Sequence, residues 1–184
     1  MSESAKPRTG SCQCGAVQVQ IQGTPLEMHL CHCSTCQKVS GSVFAALVTL
    51  KEEQLTITVK PGLDAESTLK VYKGAPGDNS GSVSERTFCS TCGSQILLRN
   101  NYMPGISMVP LGILEPYPLS EDGSAGIEGR EGGDGEGWAM KPMIEYWCVR
   151  KRQWVGETGA ELVFKTGPET VEDLAELKKI FGLA

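Results

Sequence analysis

Seven of the eight cysteines fall into three tight clusters: Cys12-Gln13-Cys14-Gly15, Cys31-His32-Cys33-Ser34-Thr35-Cys36 and Cys89-Ser90-Thr91-Cys92-Gly93. Two sulfurs one or two residues apart on a tight turn aim at one point. A glycine after them frees the backbone, so that its amides turn towards the thiolates. This is chelating spacing. Zinc takes a tetrahedron of donors, so a two-cysteine cluster is half a structural site and needs a second half from elsewhere in the chain. Cys12 and Cys14 with Cys89 and Cys92 supply two such halves. Joining them would tie the amino-terminal strand to the middle of the chain, with metal binding contributing directly to folding.

Cys31, Cys33 and Cys36 can grip one ion on their own and leave its fourth position open, as catalytic zinc sites do. A thiol entering there would be held as thiolate at neutral pH, which suits sulfur chemistry. The competing reading is a second closed site completed by Cys148 or His29. Cys148 lies in the apolar stretch Ile144-Glu145-Tyr146-Trp147-Cys148-Val149, where a free cysteine reads as strand packing. His32 stands between two ligands, so its ring points away from them in an extended segment. It reads as a spacer or a supporting group, and an imidazole there also admits proton transfer. Redox cycling of Cys33 with Cys36 or of Cys89 with Cys92 would call for a strand and helix alternation that the chain lacks.

That alternation is missing because the rest reads as β. Val17, Val19 and Ile21 alternate with glutamines, and Leu55, Ile57 and Val59 repeat the period of a half-buried strand. Further strands are expected at 43–50, 68–72, 94–99, 106–111, 143–149 and 162–164, giving a mostly antiparallel fold. Val171, Leu174, Leu177 and Phe181 mark one face of a carboxy-terminal helix, with Thr170 placed to cap it. Residues 120–138 are rich in glycine and acids, a flexible loop that serves as a lid or a surface insertion. The expected organisation is a tail over 1–9, one zinc-binding domain over 10–167 and the helix over 168–184.

The formal charge is -5 over 184 residues, and thiolate zinc sites would add about -2 for four cysteines and about -1 for three. The longest basic run is Arg150-Lys151-Arg152, read as a solvated turn, so the electrostatic footprint of a nucleic-acid binder is missing. No apolar run is long enough for a bilayer and the first residues lack a signal-peptide core, which points to a cytoplasmic protein. Eight cysteines in a reducing compartment favour metal chemistry over disulfides.

The three motifs in this order resemble the glutathione-dependent formaldehyde-activating enzyme / centromere protein V family. The residues that carry the resemblance are Ser11-Cys12-Gln13-Cys14-Gly15-Ala16-Val17, Cys31-His32-Cys33-Ser34-Thr35-Cys36-Gln37-Lys38 with Ser40-Gly41-Ser42 and Phe44, and Phe88-Cys89-Ser90-Thr91-Cys92-Gly93-Ser94. The stretch from Pro142 through Trp147 to Trp154 resembles the family's closing strands. The resemblance implies a mainly β, Mss4-like compact antiparallel fold with two zinc ions per chain. Cys12, Cys14, Cys89 and Cys92 would hold a structural zinc, and Cys31, Cys33 and Cys36 the catalytic one. It further implies a carbon–sulfur lyase that joins glutathione, as cosubstrate, to formaldehyde. The insertion at 120–138 admits a larger electrophile. A glutathione carrier or zinc-stabilised binding module without turnover is the alternative. Lys38 and Arg86, beside the cysteines in sequence, are candidate contacts for the peptide carboxylates or plain surface charges.

Overall fold

A computed structural model of the chain describes residues 7–74, 83–114, 142–167 and 171–182. The glycine-rich stretch 120–138 and the capping Thr170 lie outside them. Among the described residues the chain is mainly β, with eleven short strands. In chain order these are β1 (Arg8–Ser11), β2 (Val17–Ile21), β3 (Glu27–Cys31), β4 (Ala45–Lys51), β5 (Leu55–Val59), β6 (Leu69–Lys73), β7 (Ser84–Cys89), β8 (Gln95–Asn100), β9 (Ile106–Pro110), β10 (Ile144–Tyr146) and β11 (Leu162–Val163). The helices are α1 (Ser34–Ser40), α2 (Ala65–Thr68) and α3 (Val171–Ile180). No helix of the described residues is long and apolar enough to cross a membrane.

The chain divides into two compact units, Met1–Thr24 with Leu50–Met140, and Pro25–Thr49 with Lys141–Ala184. In the first, β2 lies between β1 and β5, antiparallel to both. The alternation read from the sequence is realised here: Val17, Val19 and Ile21 are buried while Gln18 is exposed. Strands β6 to β9 form an antiparallel ladder in sequence order. Its register slips between Thr87 and Phe88, a bulge immediately before Cys89. A bulge of this kind bends a strand and re-aims the residues beyond it, here the cysteine turn at its end.

In the second unit β3 is the organising strand. It pairs antiparallel with β4 and parallel with β10, and β11 adds to β10 in parallel. These parallel pairings qualify the expected antiparallel pattern. All five residues of β3 are buried, Glu27 and His29 among them. Its polar side chains are why hydropathy does not reveal it as a strand. Glu27 Oε1 takes a hydrogen bond from His29 Nδ1 at 2.8 Å. The strand expected over 143–149 stops at Tyr146. Trp147 turns to φ 60, ψ 39, and Cys148–Arg150 follow as a single 3-10 turn. Cys148 is therefore a half-buried turn residue rather than strand packing. Leu177 and Phe181 of the carboxy-terminal segment are buried, as the helical period anticipated.

Gly10, in β1, bridges Leu114. A Cβ there would overlap the Ile113 carbonyl oxygen and lie 2.8 Å from the Leu114 Cα. Both are backbone atoms without a rotamer to give way. Gly10→Ala is therefore expected to cost about 1–3 kcal/mol, the range for overpacking, read as a lower urea midpoint with an unchanged m-value.

Candidate metal centres

Cys12 follows β1 and Cys89 ends β7, and each opens a turn closed by a glycine. Gly15 N–H donates to the Cys12 carbonyl at 2.9 Å and Gly93 N–H to the Cys89 carbonyl at 2.8 Å. Both glycines sit at positive φ, 73° and 75°, where an L side chain is strained. The turns bring the sulfurs of Cys12, Cys14, Cys89 and Cys92 within 4.8 Å of one another. Cys12 Sγ is 3.5 Å from Cys14 Sγ, and Cys14 Sγ is 3.7 Å from Cys89 Sγ. The Val17 amide donates to Cys12 Sγ at 3.3 Å, and Ser94 Oγ lies 3.3 Å from Cys92 Sγ. Ser94's hydroxyl and amide hold the Cys92 thiol down at about 6. Cys14 receives the Ala16 amide, yet Cys12 beside it pushes its thiol up to about 12. Four sulfurs at this spacing cannot all ionise without a cation between them, so the donor set fits a soft divalent ion.

Cys31, Cys33 and Cys36 form a second group, also within 4.8 Å. Cys31 is the last residue of β3. Cys33 caps α1 from the extended region, and its sulfur accepts the Cys36 amide at 3.3 Å. Cys31 and Cys36 are buried and Cys33 is half-exposed. Hydrogen bonding to Cys33 and Cys36 drives the Cys31 thiol far up, while hydrogen bonding to Cys31 and Cys36 carries Cys33 far down. Sulfurs this close press on one another's protonation, and a cation between them would relieve that conflict. Among the described residues no histidine, acid or fourth cysteine joins the three within that span. His29 is engaged with Glu27 and lies 3.2 Å from Thr49 Oγ1. Cys148 falls instead with His32 and Glu145.

That last group links the cysteine segment to β10 and the turn after it. His32 is fully buried, its Nε2 donating to Glu145 Oε1 at 2.8 Å. Lys151 Nζ lies 3.0 Å from Oε1 and 3.1 Å from Oε2, and Thr158 Oγ1 donates to Oε2 at 3.2 Å. Burial pushes the Glu145 carboxyl up, but the bonds from His32 and Lys151 outweigh it and hold it below its ordinary value. His32 also meets Phe44 edge-on, with ring centroids 5.6 Å apart. Its backbone N–H donates to the Tyr146 carbonyl at 2.9 Å, and the Gln37 amide donates to its carbonyl at 2.8 Å. His32 is bonded to Glu145 and falls outside the three-cysteine group. Glu145, Lys151 and Thr158 escaped the reading of the sequence. A lone acid inside the apolar run Ile144–Trp147 was the available signal, since a charge in such a run needs a buried partner. Of the two candidate cations, Lys38 is exposed and Arg86 is buried in β7, so Arg86 is not a surface charge.

A β-protein that gathers one set of four sulfurs and one of three, each around a common point, is a cysteine-cluster protein with two donor sets suited to soft metal ions. The chain belongs to the glutathione-dependent formaldehyde-activating enzyme family, whose model matches residues 7–125. Among solved structures it is similar to a Rhodobacter sphaeroides protein from structural genomics, at 22% identity and a TM-score of 0.45, over 63% of this chain and 95% of that one. No curated protein matches the chain.

Removing the Glu145 charge leaves Lys151 and buried His32 without their partner. Glu145→Ala is expected to cost about 3–5 kcal/mol, as for breaking a buried ion pair. Because its carboxyl is depressed in the folded state, Glu145 stabilises above the ordinary carboxylate range, and that contribution is lost as pH falls through the lowered value. Chemical denaturation against pH should show a shallower acid loss in Glu145→Gln than in the wild type.

Proposed function

We propose that the chain is a zinc-dependent carbon–sulfur lyase, of the S-(hydroxymethyl)glutathione synthase kind, on an Mss4-like β-fold and working in the cytoplasm. The observation that carries this reading is the three-sulfur group of Cys31, Cys33 and Cys36, to which the described residues add no fourth ligand. Cys12, Cys14, Cys89 and Cys92 would hold a structural zinc and the three sulfurs a catalytic one. When bound there, zinc supplies the positive charge against which a fourth thiol loses its proton at neutral pH.

The chain's own residues do the rest. β3 and the cap of α1 fix the three sulfurs, and Cys33, half-exposed, leaves the group open to an incoming thiol. Glutathione enters as the cosubstrate. Its sulfur lone pair forms the carbon–sulfur bond to the carbonyl carbon of formaldehyde or a larger electrophile. The carbonyl π pair moves to oxygen, which takes a proton from water, while the thiol's proton leaves to water. The sum is neutral: thiol plus aldehyde gives the hydroxymethyl thioether, and the reverse path splits it.

Steady-state formation of S-hydroxymethylglutathione, followed by 13C NMR of labelled formaldehyde above the uncatalysed rate, tests the reading. Cys31→Ser, Cys33→Ser and Cys36→Ser are each expected to abolish the acceleration while keeping the native circular dichroism. Cys12→Ser is expected to unfold the protein, since structural zinc contributes about 10 kcal/mol or more of folding free energy in small zinc domains. Stoichiometric glutathione binding without turnover would make the protein a carrier instead. Equal unfolding in both sets of variants would remove the division between the clusters.

A further inference from the structure

We propose that Arg150 anchors a carboxylate of the thiol substrate beside the three-cysteine group, an inference that rests on the proposed thiol-binding role of that group. Tyr146 pairs in register with Cys31, and its carbonyl accepts the His32 amide at 2.9 Å. The chain therefore leaves β10 where the cysteine segment begins. Trp147 follows at φ 60, the only non-glycine residue at positive φ among the described residues. For a bulky side chain that conformation is a true outlier, kept only where the surroundings enforce it and most often near functional sites.

The enforcement is visible. The amides of Trp147, Cys148 and Val149 donate to the carbonyls of Thr166, Phe164 and Lys165 at 2.8, 3.1 and 3.0 Å, and the Arg150 amide closes back on the Trp147 carbonyl at 2.9 Å. The turn lays the Arg150 guanidinium over the indole it has just displaced, 5.8 Å from the ring centroid. A guanidinium held against an aromatic face keeps its donor fork free for a carboxylate in bidentate geometry. The Gln37 side-chain amide donates to the carbonyls of both His32 and Arg150, at 2.8 and 3.4 Å. One side chain, next to Cys36, thus joins the cysteine helix to the arginine's turn.

Its fixed place over the Trp147 ring distinguishes Arg150 from the other exposed cations near the cysteine segment, such as Lys38. Lys151, next to it, is spent on Glu145. Arg150 is exposed, and no ion pair among the described residues uses it. The chain is acidic overall at -5, and three thiolates on one divalent ion would add further negative charge. A thiol that carries carboxylates meets repulsion there unless a fixed cation offsets it. The turn at Trp147 supplies one, and a thiol without a carboxylate gains nothing from it.

The test uses the zinc-loaded full chain with two thiols and one thioether: glutathione, 2-mercaptoethanol, which has no carboxylate, and S-methylglutathione, which has the carboxylates and no free thiol. Arg150→Gln is expected to raise both the KM for glutathione and the Kd of S-methylglutathione by about tenfold to a hundredfold, as for loss of a charge-assisted hydrogen bond. Its kcat with glutathione and its KM for 2-mercaptoethanol should stay within about twofold of wild type. Arg150→Lys is expected to recover part of the loss. An unchanged Kd for S-methylglutathione in Arg150→Gln, or equal losses with both thiols, overturns the anchor and leaves the thiol site standing. A wild-type protein that neither binds nor turns over any thiol overturns both.

Discussion

The sulfurs of Cys31, Cys33 and Cys36 lie within 4.8 Å of one another in a largely buried setting, and in such a setting three negative charges repel too strongly to coexist unaided. Their contacts with one another push the Cys31 thiol up and the Cys33 thiol down. A cation at their centre would resolve that conflict. The fold holds these three mutually repelling groups close to one point. It does so with strand β3, with the extended cap at Cys33, and with a buried chain of polar contacts from His32 through Glu145 to Lys151 and Thr158.

The two clusters are held in different ways. The four-cysteine group rests on two glycine-closed turns whose amides and hydroxyl face the sulfurs directly, as Val17 does Cys12 and Ser94 does Cys92. Such a site needs only the chain's own thiols to complete a tetrahedron. The three-cysteine group spends its supporting contacts on the backbone around His32 instead, and among the described residues no fourth ligand completes it. On the proposed function, the first arrangement would satisfy a metal by itself and the second would leave a position for a ligand from outside.

How far the sequence reveals this depends on how local each signal is. Cys31, Cys33 and Cys36 lie within one strand end and one helical turn, so their spacing announces the group before any fold is known. Cys12 and Cys14 find Cys89 and Cys92 across more than seventy residues, legible only because zinc needs four donors and each pair offers two. Strands with alternating hydropathy, β2 above all, were equally plain. β3 was not, since Glu27 and His29 are buried by pairing with each other rather than by being apolar. Nor was the end of β10. Nothing in Tyr146-Trp147-Cys148 marks a bulky residue that will adopt φ 60 because three downstream carbonyls take its turn's amides. Glu145 contacts His32 across 113 positions, a pairing that no window along the chain can hold.

The proposed function requires that the three-cysteine group bind an ion whose coordination a thiol from outside completes. X-ray absorption at the zinc edge of the fully loaded, reduced protein, recorded without and with glutathione, addresses this directly. The expected result is a zinc at each cluster and a mean sulfur coordination that rises from about 3.5 to about 4 when glutathione is added. Zinc already ringed by four of the chain's own side chains at both clusters, or no ion at Cys31, Cys33 and Cys36, would contradict it.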